Sequence, residues 1–154
     1  MSKTLLSIKN LSIGFSEKNR INTVVQNISF DLQKGRTLSL VGESGSGKSV
    51  TTLSTVSLLP SNAIIKGSIL FNGKEMIGSN ENYLRNIRGN KISFIFQEPM
   101  TSLNPLHNIE KQIGESLDFH QNLKGEVKLN KTIELLNKVG INNPISRLKD
   151  FPHQ

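Results

Sequence analysis

The sequence contains no cysteine. This excludes any disulfide framework, any cysteine-ligated zinc or iron–sulfur centre and any thiol nucleophile, and it suits a reducing compartment. Tryptophan is also missing, tyrosine occurs once, and aromatic residues make up 5% of the chain. With so few rings for bases to stack on, binding of single-stranded nucleic acid is disfavoured. No stretch approaches the ~18 apolar residues of a spanning helix, and MSKTLLSIKN at the start has no apolar core of signal-peptide length. The chain is therefore expected in the cytosol. No repeat and no low-complexity segment is evident, so a solenoid is not expected. His107, His120 and His153 are too far apart for the i, i+3 or i+4 ligand pairs of a helical metal site.

What is present fits one modest domain, at 154 residues. Nineteen Lys and Arg against twelve Asp and Glu give a formal charge of +7, which favours partners carrying phosphates or other anionic groups. Nucleotide, nucleic acid and acidic lipid all meet that condition. The basic series Lys124, Lys128, Lys131 and Lys138 reads more simply as the solvated face of a helix.

Hydrophobic periods divide the chain. Leu11, Ile13 and Phe15 alternate, as do Ile28, Phe30 and Leu32, and an apolar run follows at 38–41, then Ile69 and Phe71. The polar segment SEKNRIN separates the first two sets and Asn72-Gly73 is a turn dipeptide, so the early strands are expected to be antiparallel. After Gly78 a short helix with Leu84 and Ile87 should close at Gly89, and KISFIF at 91–96 should form a further strand. From residue 108 the period becomes helical. Ile109, Ile113 and Leu117 share one face, as do Leu129, Ile133 and Leu136, with Gly140 as a stop before Asn143-Pro144.

The strongest chemical signal is Gly42-Glu43-Ser44-Gly45-Ser46-Gly47-Lys48-Ser49, a G-x-x-x-x-G-K-S/T phosphate-binding loop. The apolar run 38–41 leads into it as a strand, and 48–59 is expected to continue as a helix that stops before Pro60. Glycines let successive amides converge on a phosphate where side chains would clash or forbid the required φ. Lys48 can reach the β- and γ-phosphate oxygens of ATP as a mobile charge, and the Ser49 hydroxyl can occupy one position around Mg²⁺. Glu43 belongs to the same cofactor-binding stretch, but a carboxylate beside a triphosphate is repelled unless it points outward, so it reads as a loop residue and not as a base.

The loop GESGSGKSV, the preceding LSIGF, the segment NKISFIFQEPMTSLNPLH and the terminal DFPHQ together resemble the ATP-binding subunits of ABC transporters. The likeness runs the length of the chain. It is nearest to the branch serving oligopeptide, dipeptide and nickel importers, in particular the microcin C and peptide importer subunit with two ATPase halves. The resemblance implies an α/β, P-loop NTPase fold of which this chain holds part: an antiparallel β-subdomain and P-loop core portion over 1–97, and the start of a helical subdomain over 98–154. It also implies that Phe15 lies against adenine, an alternative to its reading as a strand core residue. Gln97 would correspond to the family's Q-loop glutamine, a catalytic group and Mg²⁺ contact whose loop meets the membrane subunit; without the family it is an ordinary polar strand-end residue.

The family's further motifs, LSGGQ, the Walker B acids and the switch histidine, do not occur in the sequence. ATP hydrolysis by this chain alone is accordingly not expected. The strand at 38–41 should lack sheet neighbours and leave exposed edges. By resemblance the partners are membrane-spanning permease subunits, a second ATPase half or subunit and, indirectly, a periplasmic solute-binding protein, with no nucleic acid. The location is then cytoplasmic, peripheral on the inner face of the cell membrane. A non-transport ATPase acting on nucleic acid or ribosomes, and a remnant without function, are the competing readings.

Overall fold

The computed structural model describes residues 3–18, 20–98 and 102–154. Asn19 of the expected SEKNRIN loop, and Pro99, Met100 and Thr101 of the segment shared with ABC ATPases, lie outside the described residues. The chain separates into two units, Met1–Arg88 and Gly89–Gln154.

The first unit is built on an antiparallel four-stranded sheet in the order β2-β1-β3-β4: β1 (Thr4–Glu17), β2 (Arg20–Gln33), β3 (Ala63–Phe71) and β4 (Lys74–Glu75). Pairing of β1 with β2 persists to Glu17↔Arg20, so the hairpin connection is tighter than the seven-residue loop expected from composition. Asn72 (φ 51) and Gly73 (φ 80) make the β3–β4 turn, the doubly left-handed conformation that an Asn-Gly pair favours.

The buried set includes Ile8, Leu11 and Ile13 on β1, Val25 on β2, and Ile69 and Phe71 on β3. Ile8 and Leu11 are separated by an odd number of positions, as are Val25 and Ile28, which in an uninterrupted strand would put one of each pair on the wrong face. Bulges correct the register. Asn10 (φ 49) and Asn27 (φ 50) take left-handed conformations where the β1–β2 pairing shifts. The two sites are cross-braced: the Asn10 N–H donates to Ser29 Oγ at 2.8 Å, and the Asn27 N–H to Ser12 Oγ at 2.9 Å. Gly67 (φ 107) faces the first bulge on β3, where a Cβ would lie 2.6 Å from the Lys9 and Asn10 carbonyl oxygens.

At the end of β4, the Glu75 carboxylate closes the turn that follows. Its Oε1 accepts the amides of Ile69 (3.0 Å), Met76 (3.0 Å) and Ile77 (3.1 Å), and the Ser68 hydroxyl donates to Oε2 at 2.5 Å. Burial alone would raise this carboxyl, but the hydrogen bonds together hold it below its ordinary value. Helix α2 (Glu81–Ile87) starts at Asn80, whose side chain accepts the Tyr83 amide, and it ends at Arg88 before Gly89 (φ 74), the stop that the sequence indicated.

The second unit contains α3 (Ile109–Gln121), α4 (Gly125–Lys138) and α5 (Pro144–Arg147). Asn108 caps α3 through the Lys111 amide, and Asn122 ends it in the left-handed region. Leu117, Thr132 and Leu136 are buried where α3 meets α4, and the Lys128 stem crosses α3 in ordinary van der Waals range of Gly114. Gly140 (φ 79) terminates α4 with the Ile141 N–H returning to the Leu136 carbonyl. The last residues fold back: the carbonyls of Asp150 and Leu148 accept the first-turn amides of Ile109 and Glu110, each at 3.0 Å. No helix among the described residues is long and apolar enough to cross a membrane.

Two expected strands are not formed. Residues 38–41 and 93–96 pair with no other strand among the described residues. Val41 is 94% exposed and Ile95 is 99% exposed. The apolar runs are strand-like in composition, but a strand exists only through a neighbour's N–H and C=O groups, and none borders either run here. The exposed strand edge foreseen for 38–41 is therefore not formed, and the run is an exposed apolar segment instead.

Candidate functional site

The loop 42–49 emerges between β2 and helix α1 (Lys48–Ser54). Gly45 (φ 81) and Gly47 (φ 86) hold left-handed conformations that turn the chain back on itself. Gly47 is buried against β2: a Cβ there would meet Val25 Cγ2 at 2.8 Å and the Val24 carbonyl oxygen at 3.1 Å. The loop is therefore seated on the rigid sheet by a contact only glycine permits. At Gly42 a Cβ would fall 2.7 Å from Ser46 Oγ, inside the ring of the loop, whereas Gly45 faces open space.

Among the described residues the Ser46 amide donates to the Glu43 carbonyl at 3.2 Å, while the amides of Ser44, Gly45, Gly47, Lys48 and Ser49 donate to no protein acceptor. Backbone N–H groups need a partner, so a cluster of uncommitted donors in a glycine-lined turn is chemically matched to the oxygens of a phosphate. The Lys48 ammonium lies within the same turn. It donates to the Gly42 carbonyl at 2.8 Å, the Glu43 carbonyl at 2.6 Å and Ser46 Oγ at 3.2 Å. These acceptors use an ammonium's full donor complement, so engaging a phosphate means exchanging some of them for phosphate oxygens. The Glu43 side chain is exposed and contributes its carbonyl alone. Ser49 is exposed at the first turn of α1. Among the described residues no group of three or more His, Asp or Glu side chains could hold a metal by itself.

Helix α1 is shorter than the 48–59 expected, and its composition explains why. Val50, Thr51 and Thr52 are β-branched and Ser49 and Ser54 compete for backbone bonds, all unfavourable in a helix interior. The hydroxyls of Thr52, Ser54 and Thr55 donate to backbone carbonyls within the segment, at 3.0 Å to Ser49, 2.7 Å to Thr51 and 2.6 Å to Thr52. The helix then closes as a Schellman turn. The Ser57 N–H reaches the Ser54 carbonyl and the Leu58 N–H the Leu53 carbonyl, each at 3.1 Å, with Ser57 (φ 54) where glycine is usual.

Phe15 is half-buried near the turn end of β1, paired with Asn22 on β2 and Ala63 on β3. Ile13, on the same strand face, pairs with the Val25 that supports Gly47, which puts Phe15 ~7 Å further along the strand. Gln97 belongs to the second unit, where its side chain is exposed in a bend. One residue the sequence did not single out is Arg88, bonded to the far end of the α1 segment across more than thirty positions of sequence.

A family model described as "ABC transporter" matches residues 25–153. The chain is 48% identical over 156 residues to the ABC transporter ATP-binding protein YejF of Escherichia coli (strain K12), covering 100% of this chain and 30% of that protein. It is 51% identical to the peptidoglycan transport ATP-binding protein YejF of Agrobacterium fabrum, covering 99% of this chain and 28% of that one. It is 42% identical to the oligopeptide transport ATP-binding protein OppD of Bacillus subtilis (strain 168), with 97% and 42% covered. The chain thus spans less than half the length of these relatives. Among solved structures it resembles the dimeric ABC transporter cassette MJ0796, with a TM-score of 0.80 at 22% identity over 97% of this chain and 62% of that one. A post-hydrolysis dimer of the same cassette bound to ADP and Pi gives 0.78 at 20% identity, again covering 97% of this chain and 62% of that one. At such identity the likeness is one of fold.

Proposed function

Because the chain belongs to the ABC transporter family, we propose that it is the nucleotide-gripping part of an import ATPase that energises uptake of peptides or related small solutes. The observation that carries this reading is the turn 42–49: uncommitted amides at Ser44, Gly45, Gly47, Lys48 and Ser49 around a Lys48 ammonium, seated on β2 through Gly47. ATP would place its β- and γ-phosphates in that turn, where amide dipoles and the lysine charge offset the phosphate charge. Mg²⁺, bound largely by phosphate oxygens and water, would take the Ser49 hydroxyl as a protein ligand. Phe15 would present one ring face to adenine, and Gln97 would join the Mg²⁺ and γ-phosphate region in the assembled enzyme.

In this reading residues 1–97 are the β-subdomain and P-loop core portion, and 98–154 begin a helical subdomain. Peptide transport enters through the names of the relatives, which include oligopeptide and dipeptide transport proteins. The partners are permease subunits, a second ATPase half and, through the permease, a solute-binding protein outside the membrane. The working location is the cytoplasmic face of the membrane. The test is titration of the chain with a fluorescent ATP analogue, with and without Mg²⁺, beside Lys48→Ala. Saturable binding that weakens at least tenfold in the variant, about 1.4 kcal/mol, is the expected result; equal affinity in both proteins contradicts the reading.

A further inference from the structure

The first turn of α1 carries Lys48 and Ser49, yet the helix is seven residues long and rich in β-branched and hydroxyl side chains. Isolated helices of that length are unstable in water even with favourable sequences, so α1 must be held from outside. At its start Gly47 packs on Val24 and Val25. At its end the segment presents the carbonyls of Val56 and Ser57, which lie within the Schellman closure and accept from no backbone donor among the described residues. Both are taken by one side chain. Arg88 donates from Nε to the Val56 carbonyl at 2.8 Å and from Nη2 to the Ser57 carbonyl at 3.0 Å, and its Nη1 meets Glu81 Oε1 at 2.6 Å.

We propose that Arg88 is a positioning residue for the nucleotide site: its guanidinium clamps the end of α1 and thereby holds the turn 42–49 in its binding geometry. The proposal rests on the nucleotide-binding reading of that turn. Several features make the clamp more than a surface ion pair. The guanidinium is planar and holds its donors in fixed directions, so it reaches the Val56 and Ser57 carbonyls and Glu81 together with less loss of side-chain freedom than the flexible ammonium stem of a lysine. The Arg88 side chain is 22% exposed, whereas Glu81 is 54% exposed, so the carbonyl contacts are the sheltered ones. A positive charge at a helix C-terminus also complements the helix dipole. Val56 beneath it is fully buried, so the held backbone is anchored in the core of the same unit.

The direct test compares the wild-type chain, Arg88→Met, Arg88→Lys and Lys48→Ala for affinity toward a fluorescent ATP analogue and for amide hydrogen exchange by residue. If the clamp keeps the turn competent, and its loss leaves about one molecule in ten in that state, apparent affinity in Arg88→Met falls about tenfold. Arg88→Lys should fall between that variant and the wild type. Exchange should quicken in the hydrogen-bonded amides from Thr51 to Ser54 while the sheet amides of Ile8, Ile13 and Ile69 stay protected. Unchanged affinity and exchange in Arg88→Met overturn the proposal, as does quickening spread equally over the sheet, which would mark a general structural role. If Arg88→Met does not fold, Arg88→Lys decides by the same pair of readouts, and wild-type behaviour there refutes the clamp. Equal binding by wild type and Lys48→Ala would sink the nucleotide reading and with it the clamp's functional role, even where the exchange pattern still showed Arg88 steadying α1.

Discussion

Replacing Gly47 by alanine separates two demands that the loop makes on its glycines. Gly47 has φ 86, and Gly45 has φ 81, so alanine at either position meets the left-handed penalty of about 1–2 kcal/mol. The two then differ. At Gly45 a new Cβ finds nothing within 4 Å, whereas at Gly47 it sits 2.8 Å from Val25 Cγ2 and 3.1 Å from the Val24 carbonyl oxygen. Backbone cannot step aside as a flexible side chain can, and overpacking of this kind costs about 1–3 kcal/mol. Gly47→Ala is therefore expected to cost about 2–5 kcal/mol in total, a large part of the ~5–15 kcal/mol that holds a domain together. Gly45→Ala should cost only the first component. Urea unfolding of the two variants, followed by circular dichroism with slopes compared, measures the difference. Equal losses in both would refute the claim that β2 seats the loop through Gly47.

Other consequences are as concrete. Ser57 occupies a left-handed position (φ 54) at the close of α1, so Ser57→Gly should raise stability by about 1 kcal/mol, read as a higher urea midpoint; a lower midpoint would contradict the strain assigned there. Glu134 lies between Lys131 at 2.8 Å and Lys138 at 2.6 Å on α4, and hydrogen bonds from those ammonium groups lower its pKa to about 2. A depressed carboxyl contributes stability that is present above its unfolded value near 4.5 and is lost as pH falls toward 2. Helix content of wild type and Glu134→Gln should accordingly converge across that window, and a gap that stays constant from pH 5 to about 2 would show the ion pairs to be inert.

How much of this was readable in advance depends on the range over which each feature is determined. The phosphate loop was legible because its requirements are local: glycines where φ is positive, a lysine and a serine at fixed offsets. The Asn72-Gly73 turn and the helix stops at Gly89 and Gly140 were readable for the same reason. The bulges at Asn10 and Asn27 break the alternation that reveals a strand, and their bracing by Ser29 and Ser12 comes from the partner strand. Residues 38–41 and 91–96 have strand composition, but pairing is a property of two segments and only one of each was in view. Helix α1 misled in the opposite way, since Pro60 marked an outer limit while the serines and threonines stopped the helix sooner. Arg88 gave no local sign at all, because its acceptors at Val56 and Ser57 lie far away in sequence.

The measurement that bears most directly on the phosphate-gripping turn is the backbone amide NMR spectrum of the chain as ATP and Mg²⁺ are added. The amides of Gly45, Gly47, Lys48 and Ser49 should shift and become protected from exchange, while Ser46, already donating to Glu43, changes less. If those resonances stay in place through saturating ATP, or if shifts gather elsewhere on the chain, the turn does not hold the phosphates.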